Sequence, residues 1–552
     1  MIDPEEYFEK LARWIDWESE AEQERLTQRR ERRNSADAEK SGETILDLAI
    51  VDHEVGLGGR YLLSFVKRNR TLTLPWNRLK VGSPVTISPS DQAEQPINGV
   101  VSRRDNQTIQ VAASKWPDGA RFRLDLSADE ITCKRMLAAL KVAQVARGRT
   151  AELRRIILDD RAPRYSEPVP LASDVNLNDS QKSAVEFALA ADDIAIIPGP
   201  PGTGTTTAIV ALICQAIERG ETVLACAPSN TAVDNILERL VAQRQRLRNS
   251  REQIGEPIVR IGHPARVDEE LRAFTLDALV ANHEAMDIVR EMHKEAEGLF
   301  RKIGRYTRAK PAPGAKYEMR REAKRLKSDA RMLEKQAVEY VLDRASVICA
   351  TTTFDEELLS DRRFDLVVID EACQSTEPGA WIPILRAERL VLAGDHKQLP
   401  PTVLSDQAAR DGFKISLLER LVEIYGDPIK RQLDVQYRMH QDIMDFSSLQ
   451  FYGGTLVAHD SVESHLLTDL PTVLAKELSA TDSAELASPA KFIDTAGSGW
   501  DEELEPDGLS KRNPSEGEFV LKKVRQLCDS GVPSRDIAVI APYAAQVRWL
   551  RA

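Results

Sequence analysis

Short apolar runs at close spacing fill residues 45–125 of the chain. Each run either alternates apolar and polar residues or is rich in β-branched residues. The runs lie at residues 45–51, 60–67, 84–90, 97–104, 108–114 and 121–126. Several short strands separated by turn residues are typical of a small antiparallel barrel, so this segment is predicted to form one. On either side of it, residues 1–40 and 128–160 have the apolar period of helices.

The pattern changes near residue 175, where short, wholly apolar runs alternate with stretches of helical period. The predicted strands lie at residues 194–197, 222–227, 346–350, 366–369 and 389–393. Alternating strands and helices predict a parallel sheet with its ligand at the carboxyl ends of the strands. A long charged pair of helices at 280–340 interrupts this pattern. A second α/β segment begins near Ser405 and includes a predicted strand at 537–540.

Size and composition indicate a globular protein of several domains. The 552 residues carry a net charge of −12, and 42% of them are hydrophobic. The sequence contains no apolar run near the ~20 residues of a membrane span, and its acidic, amphipathic start does not resemble a signal peptide. Six scattered cysteines without metal or redox spacing indicate reduced thiols. We therefore expect no membrane association, and a cytoplasmic location, or a nuclear one in a eukaryote.

The charge is unevenly distributed along the chain. Residues 301–335 are strongly basic, whereas residues 460–507 are acidic. A basic face inside an acidic protein can bind a strand of nucleic acid. A solvated helical hairpin would show the same composition, so the sequence leaves both interpretations open.

The segment GPPGTGTTT at 199–207 fits the phosphate-loop pattern G-x-x-x-x-G-K-[ST] at every position but one. Threonine stands at position 205 in place of lysine. An ordinary glycine- and proline-rich turn is the alternative. The apolar strand before the segment and the helical run after it favour a phosphate site, because helix N–H groups then face an anion. The predicted nucleotide-binding residues of the loop are Gly199, Pro200, Pro201, Gly202, Thr203, Gly204, Thr205, Thr206 and Thr207.

Two carboxylates, Asp370 and Glu371, end the predicted strand at 366–369. In a nucleotide hydrolase, Asp370 would hold Mg²⁺ together with the Thr206 hydroxyl, and Glu371 would orient or deprotonate the attacking water. A strand ending in Asp-Glu is common by itself. Its position after a glycine loop, with strands between, makes the pair a candidate catalytic site. His396 lacks a second ligand at metal spacing and Cys373 lacks an activating neighbour, so neither is predicted to act in chemistry.

Two long motifs, DEACQS at 370–375 and GDHKQLPP at 394–401, resemble those of the superfamily 1B helicases. Within this superfamily, the two motifs resemble those of the group that contains the nonsense-mediated-decay helicase and the immunoglobulin-mu-binding helicase. Further motifs match in the same order along nearly the whole chain. They are LNDSQ at 177–181, APSNTAVD at 227–234, LDVQYRMH at 433–440, FYGG at 451–454, IDTAG at 493–497, NPSE at 513–516 and VIAPYAAQ at 539–546.

The resemblance implies ATP and Mg²⁺ as cofactors and single-stranded DNA or RNA as the partner; it names no protein partner. Gln181 would recognise adenine and Tyr437 would stack on it. Gln398 would sense the γ-phosphate, and Arg438 would reach it from the second domain. The residues expected to grip the nucleic-acid strand are Pro228, Ser229, Asn230 and Thr231.

The resemblance also implies the architecture, a P-loop NTPase of the α/β class with two RecA-like domains. The first would span 171–274 and 343–404, and a helical insert at 275–342 would interrupt it. The remaining predicted parts are an N-terminal helical segment at 1–44, the barrel at 45–127, stalk helices at 128–170 and the second RecA-like domain at 405–552.

The chain departs from the family pattern in two places. Thr205 lacks the charge that a lysine would bring to the phosphates, so we expect severely reduced hydrolysis and weakened nucleotide binding. The two motifs that follow VIAPYAAQ in the family, one of the F-Q-G-R-E type, are not found before Ala552. The resemblance therefore implies a C-terminally shortened form with an incomplete second domain.

Three functions are compatible with these motifs. The sequence favours a member of the ATP-dependent 5′→3′ helicase family with impaired hydrolysis. The first alternative is a catalytically inactive module whose binding of nucleic acid is controlled by bound nucleotide. The second alternative is a P-loop ATPase that remodels protein complexes without nucleic acid.

Overall fold

The computed structural model describes residues 3–31, 39, 42–55, 61–75, 77, 79–89, 96–127, 130–168, 170–171, 176–249, 258–304, 314–473, 480–505 and 510–552. Contacts divide the chain into two compact units. The first unit comprises residues 1–199 and 205–433, and the second comprises residues 200–204 and 434–552. Residues 200–204 of the glycine loop therefore group with the C-terminal segment. The domain boundaries predicted from the sequence stay predictions, because contact density alone does not define domains.

Six antiparallel strands in the first unit close into a barrel, as predicted. They are β1 (Thr44–Val55), β2 (Tyr61–Lys67), β3 (Pro84–Pro89), β4 (Ile97–Arg104), β5 (Thr108–Ala113) and β6 (Phe122–Leu126). The order around the barrel is β1-β2-β5-β4-β3-β6. Alternate residues of these strands point inward, and the rings of Phe65 and Phe122 meet edge to face at 5.7 Å in the core.

A parallel sheet of six strands forms the centre of the first unit. Its strands are β7 (Ile194–Pro198), β8 (Val223–Ala227), β9 (Ile258–Arg260), β10 (Val347–Thr351), β11 (Leu366–Ile369) and β12 (Leu390–Gly394). The order is β7-β12-β11-β8-β10-β9, and every described pairing in it is parallel. The five predicted strands are confirmed, whereas β9 was not predicted. This order brings the ends of β7, β12 and β11 together at one edge of the sheet.

Helices cover both faces of the sheet, which explains why its strands are wholly apolar. In β7, Ile194 and Ile196 pack into one core, while Ala195 and Ile197 pack into the other. The helices of this unit are α1 (Pro4–Glu31), α2 (Glu130–Val145), α3 (Gly148–Ile157), α4 (Asp179–Ala190), α5 (Thr205–Glu218), α6 (Asn230–Asn249), α7 (Leu276–Ala281), α8 (Ala285–Gly304), α9 (Ala315–Asp343), α10 (Glu356–Leu359), α11 (Glu377–Ile384), α12 (Asp406–Ala408) and α13 (Leu417–Tyr425). None of the described helices is both long enough and apolar enough to cross a bilayer.

Helices α8 and α9 form the predicted charged hairpin. The core-facing side of α8 carries Met286, Val289, Ala296 and Ile303 at helical spacing. Most of the basic side chains of α9 are exposed. Residues 305–313 of the basic stretch lie outside the described residues, so the structure bears on its remaining part only.

The N-terminal helix α1 is anchored to the first unit by a buried polar cluster. The Tyr7 hydroxyl donates to Glu377 Oε1 at 2.5 Å and accepts from Trp381 Nε1 at 3.1 Å. Arg420 forms an ion pair with the same glutamate. Burial, and then the charge of Glu377, raises the pKa of Tyr7 well above its ordinary value.

The second unit contains only short strands among its described residues. These are β13 (Val435–Gln436), β14 (Val457–Ala458), β15 (Glu503–Leu504) and β16 (Lys511–Arg512). Its helices are α14 (Gln441–Phe451), α15 (Ala480–Leu486), α16 (Pro514–Asp529) and α17 (Ala544–Arg551). The strand predicted at 537–540 is wrong. Among the described residues of this unit, no strand pairs with residues 537–540, and Ile540 is 93% exposed.

Asp193, directly before β7, joins the stalk helices to the sheet. Its buried carboxylate accepts hydrogen bonds from Arg149 at 2.7 Å, Arg161 at 2.7 Å and Arg164 at 3.1 Å. Burial alone would raise the pKa of Asp193, but the hydrogen bonds from Arg164, Arg161 and Arg149 outweigh it and leave the pKa well below its ordinary value.

Replacing Asp193 by asparagine is expected to destabilise the first unit by about 1.5–3 kcal/mol at pH 7, because three partly exposed arginines lose a charged hydrogen-bond acceptor. The depressed pKa makes this stabilisation fully present above the unfolded-state pKa of about 4; it is lost as the pH falls through the folded-state pKa. Urea unfolding of the parent and the variant between pH 7 and pH 3 should show the difference in free energy narrowing. Asp192→Asn, at the exposed neighbouring carboxylate, is the matched control. An equal effect in the two variants would contradict the assignment.

Candidate nucleotide site

The glycine loop connects β7 to α5 at the carboxyl edge of the parallel sheet. Gly202 and Gly204 have φ values of +81° and +78°, a left-handed conformation that side chains other than glycine rarely adopt. Gly199 lies directly against the Thr205 side chain, since a Cβ at Gly199 would be 1.8 Å from Thr205 Oγ1. Thr203 is fully buried, and its hydroxyl donates to Pro200 O at 2.7 Å. The sequence pattern therefore corresponds to a tight loop that opens a helix.

Thr205, Thr206 and Thr207 form the first turn of α5. The N–H groups at the start of a helix have no acceptor within it and carry partial positive charge, which suits phosphate oxygens. Thr205 brings no charge of its own to this turn, and its short side chain ends against Gly199. The loop thus has its backbone donors in place without the cation that the sequence pattern calls for.

Thr206 and Asp370 are brought together although 164 residues separate them. Thr206 Oγ1 donates to Asp370 Oδ2 at 3.4 Å, and Asp370 follows β11 directly. The aspartate is 3% exposed. Burial, and then the charge of Glu371, raises the pKa of Asp370 to about 7. A hydroxyl and a carboxylate are hard oxygen ligands of the kind that Mg²⁺ takes, so this pair fits the predicted metal site.

Glu371 adopts a backbone conformation that is unusual for its residue type, with φ at +51°. Its N–H donates to Asp370 Oδ1 at 2.9 Å, and its Oε2 accepts from Gln374 Nε2 at 3.0 Å. These bonds fix the carboxylate directly beside the candidate magnesium ligand. Burial raises the pKa of the neighbouring Cys373 thiol to about 11, which disfavours the nucleophilic thiolate.

The strand β12 delivers a second polar cluster to the same edge of the sheet. Gln398 Nε2 donates to Asp395 Oδ2 at 2.9 Å, while the rest of Gln398 is exposed. Burial, and then the charge of Lys397, lowers the pKa of His396. The neutral imidazole is consistent with the structural role predicted for it.

Within the second unit, the glycine loop contacts the segment that carries Tyr437 and Arg438. The Tyr437 N–H donates to Gly202 O at 2.9 Å, and a Cβ at Gly202 would lie 2.7 Å from Arg438 Cβ. Buried Gln436 shapes this segment, because its Oε1 accepts the N–H groups of Arg438 at 2.8 Å and of Met439 at 2.9 Å. The role of Gln436 was not predicted, since nothing in the sequence distinguishes it from the other polar residues of the motif.

Gln181 lies at the start of α4, where it takes part in a capping box. Its Oε1 accepts the N–H of Asn178 at 3.1 Å, and Asn178 Oδ1 accepts the N–H of Gln181 at 2.8 Å. The carboxamide oxygen is therefore engaged in helix capping. An adenine base recognised by Gln181 would meet the nitrogen end of this side chain.

The predicted strand-gripping residues connect β8 to α6. Ser229 and Thr231 are exposed, whereas Pro228 and Asn230 are half-buried. Asn230 Oδ1 accepts from the buried Arg260 Nη2 at 2.9 Å.

Asp234 binds the same arginine at 2.9 Å, so α6 is tied to β9. Arg260 was missed because a basic residue in a short run does not indicate burial.

Three family models match the chain. One described as the 1B domain of the SMUBP-2/HCS1 helicases matches residues 10–133, which contain the barrel. Two described as AAA domains match residues 176–406 and 413–552. The matches follow the order of the motifs along the sequence.

Curated relatives match over most of the chain. "DNA-binding protein SMUBP-2" of Mesocricetus auratus is 38% identical over 97% of this chain and 54% of its own length. "DNA polymerase alpha-associated DNA helicase A" of Schizosaccharomyces pombe is 31% identical over 93% of this chain and 78% of its own length. An uncharacterised ATP-dependent helicase of Methanocaldococcus jannaschii is 34% identical over 85% of this chain and 73% of its own length.

The chain spans about half the length of the SMUBP-2 relatives that it matches. The archaeal and fission-yeast relatives are covered over more than two thirds of their length at above 30% identity. Together with the family models, these matches confirm the resemblance that the motifs indicated. The chain belongs to the superfamily 1B helicases, in the group that includes the SMUBP-2 proteins and the regulators of nonsense transcripts.

Proposed function

We propose that this chain is an ATP- and Mg²⁺-binding member of the 5′→3′ helicases that acts on single-stranded DNA or RNA, with hydrolysis impaired at Thr205. The observation that carries the proposal is the pairing of Thr206 Oγ1 with Asp370 Oδ2 at 3.4 Å, beside a loop of phosphate-binding geometry. A structural hydrogen bond would explain the pair alone. It would not explain the left-handed glycines and the half-buried helix start beside it.

The nucleotide phosphates would lie over the loop, where backbone N–H groups of 199–204 and the first turn of α5 donate to them. Tyr437 would stack on adenine. The residue is 39% exposed, and its ring lies 4.5 Å from the His459 ring. Gln181 would complete the recognition of the base through its amide nitrogen.

Thr206 and Asp370 would hold Mg²⁺. When bound there, the ion would neutralise charge that develops on the transferred phosphoryl oxygens. Ionised Asp370 is needed for this role, and bound metal would favour the ionised form.

Three side chains would serve hydrolysis itself. Glu371, held by Gln374, would accept the proton of the attacking water. Gln398 would respond to the γ-phosphate from the end of β12. Arg438, beside Gly202, would stabilise transition-state charge.

Nucleic acid would be bound through its backbone rather than through its bases. Ser229 and Thr231 offer exposed hydroxyls at the start of α6, where N–H groups also favour phosphate. The basic exposed face of α9 adds positive charge to a protein whose net charge is −12. This arrangement supports binding with little sequence preference and strong salt dependence.

The absence of a charge at Thr205 also favours a second function, a nucleotide-gated binding module that does not turn over. The two functions share their ligands and differ in turnover. Nucleic-acid-stimulated hydrolysis of ATP by this chain, compared with that of an intact relative, separates them. Turnover equal to that of the relative would contradict the proposed impairment.

Thr231→Glu is expected to weaken binding of a fluorescent 20-nucleotide single strand by at least about tenfold, equivalent to about 1.4 kcal/mol, because it places a negative charge against phosphate. Fluorescence anisotropy at increasing salt measures the affinity. For the parent, log K should fall by about 0.7 per phosphate contact for each tenfold increase in salt concentration. Ser498→Glu adds the same charge at an exposed turn of the second unit and is the control. Equal affinity for the two variants would overturn the assignment of α6. No binding by the parent even at low salt would favour an ATPase that acts on protein complexes.

A further inference from the structure

Arg239, which no motif assigned, reaches the first turn of α5 from the neighbouring helix α6. Its Nη1 donates to Thr207 Oγ1 at 2.8 Å. Among the residues that the structure describes, this threonine is the only hydrogen-bond partner of the guanidinium. A guanidinium has five N–H donors, so most of them stay available to a ligand.

Arg239 meets α5 at a residue that is close in sequence to the candidate magnesium ligand. Thr207 is two residues from Thr205 and one residue from Thr206, the candidate magnesium ligand. The guanidinium therefore lies at the start of α5, one residue along the chain from the candidate magnesium ligand.

A cation has a clear electrostatic role here. ATP brings several negative charges to a site that already contains Asp370 and Glu371, and Thr205 offsets none of them. Helix N–H groups supply only about half an elementary charge. An arginine binds phosphate in two-pronged fashion and stays charged at any relevant pH, so it suits this position.

We propose that Arg239 is a phosphate-site residue of this chain. It places beside the nucleotide the positive charge that Thr205 lacks, and it holds Thr207 in place. The inference rests on the proposed function, since it assumes that the loop binds ATP. It goes further by assigning the charge of the site to a different helix. It implies that Arg239 matters more with threonine at 205 than with lysine there.

The test is a double-mutant cycle between positions 205 and 239. Affinity for a fluorescent ATP analogue with Mg²⁺ would be measured for the parent, Arg239→Gln, Thr205→Lys and the double variant. We expect Arg239→Gln to weaken binding about tenfold in the parent and by less than about threefold alongside Thr205→Lys, since contacting or coupled sites are not additive. Arg239→Lys should retain most of the parent affinity. Lys141→Gln, at an exposed site on α2, is the charge-matched control.

Equal losses in the two backgrounds would show that Arg239 only supports the helix, and would overturn the inference. Retention of affinity by Arg239→Gln would overturn it as well. Failure of the proposed function gives a different result: neither the parent nor Thr205→Lys would bind the nucleotide with Mg²⁺. Thermal unfolding of each variant identifies a loss of affinity caused by misfolding. If Arg239→Gln does not fold, Thr207→Val removes the acceptor and should reproduce part of the loss.

Discussion

Replacing Thr205 by lysine is expected to raise the affinity of this chain for ATP with Mg²⁺ by about 10- to 150-fold, because hydrogen bonds to a charged group contribute about 1.5–3 kcal/mol. The backbone is already arranged for the change. Gly202 and Gly204 hold the left-handed turns of the loop, and Thr206 lies beside Asp370 without any lysine present. A lysine side chain is long enough to extend past Gly199 toward the β- and γ-phosphates, which threonine is not.

The measurement is equilibrium binding of a fluorescent ATP analogue with and without Mg²⁺. Thr205→Met is the matched control, since it gives a side chain of comparable length without the charge. We expect this control to stay within about threefold of the parent, in contrast to the gain that a charge-assisted bond gives. An equal gain with methionine would show that packing against Gly199, and not charge, limits the affinity. No gain with lysine would mean that the loop does not bind phosphate as proposed.

The strands of the parallel sheet could be predicted because burial on both faces makes each of them a wholly apolar run. Ile194–Pro198 and Leu366–Ile369 are of this kind, and both lie where the sequence placed them. The short strand Ile258–Arg260 was not predicted, because it has only three residues and ends in a buried arginine. The apolar run at 537–540 shows the opposite failure. Its composition favours a strand, but a strand needs a partner, which composition does not supply.

The candidate site shows the same limit. Asp370 and Thr206 could be paired from motifs, because the order of strands in a parallel sheet brings their loops to one edge. Arg239 and Gln436 could not be assigned. Arg239 was identified by one hydrogen bond from a neighbouring helix, and Gln436 by two hydrogen bonds inside a loop. Single contacts of this kind produce no periodic pattern in the sequence. The cap on Gln181 shows that a motif residue can also serve its own helix.

Glu371→Gln in the Thr205→Lys background is expected to lower single-turnover hydrolysis of ATP by about 10²–10⁴-fold, the usual contribution of a general base. ATP affinity should change by less than threefold, since the carboxylate is not proposed to hold the metal. Asp370→Asn in the same background should give the contrasting result, the loss of the Mg²⁺ dependence of binding. Both changes preserve shape, so the contrast isolates charge.

The backbone at Glu371 is the reason to expect this division. A residue other than glycine at φ +51° carries a conformational cost of order 1–3 kcal/mol, which persists only where the surroundings fix it. Here the Asp370 carboxylate accepts the Glu371 N–H, and Gln374 holds the side chain. The strained turn thus separates two adjacent carboxylates, one buried toward Thr206 and one held for the water. Equal effects of the two variants on binding and on turnover would show that the carboxylates act as a single charged patch, and the separate roles would be wrong.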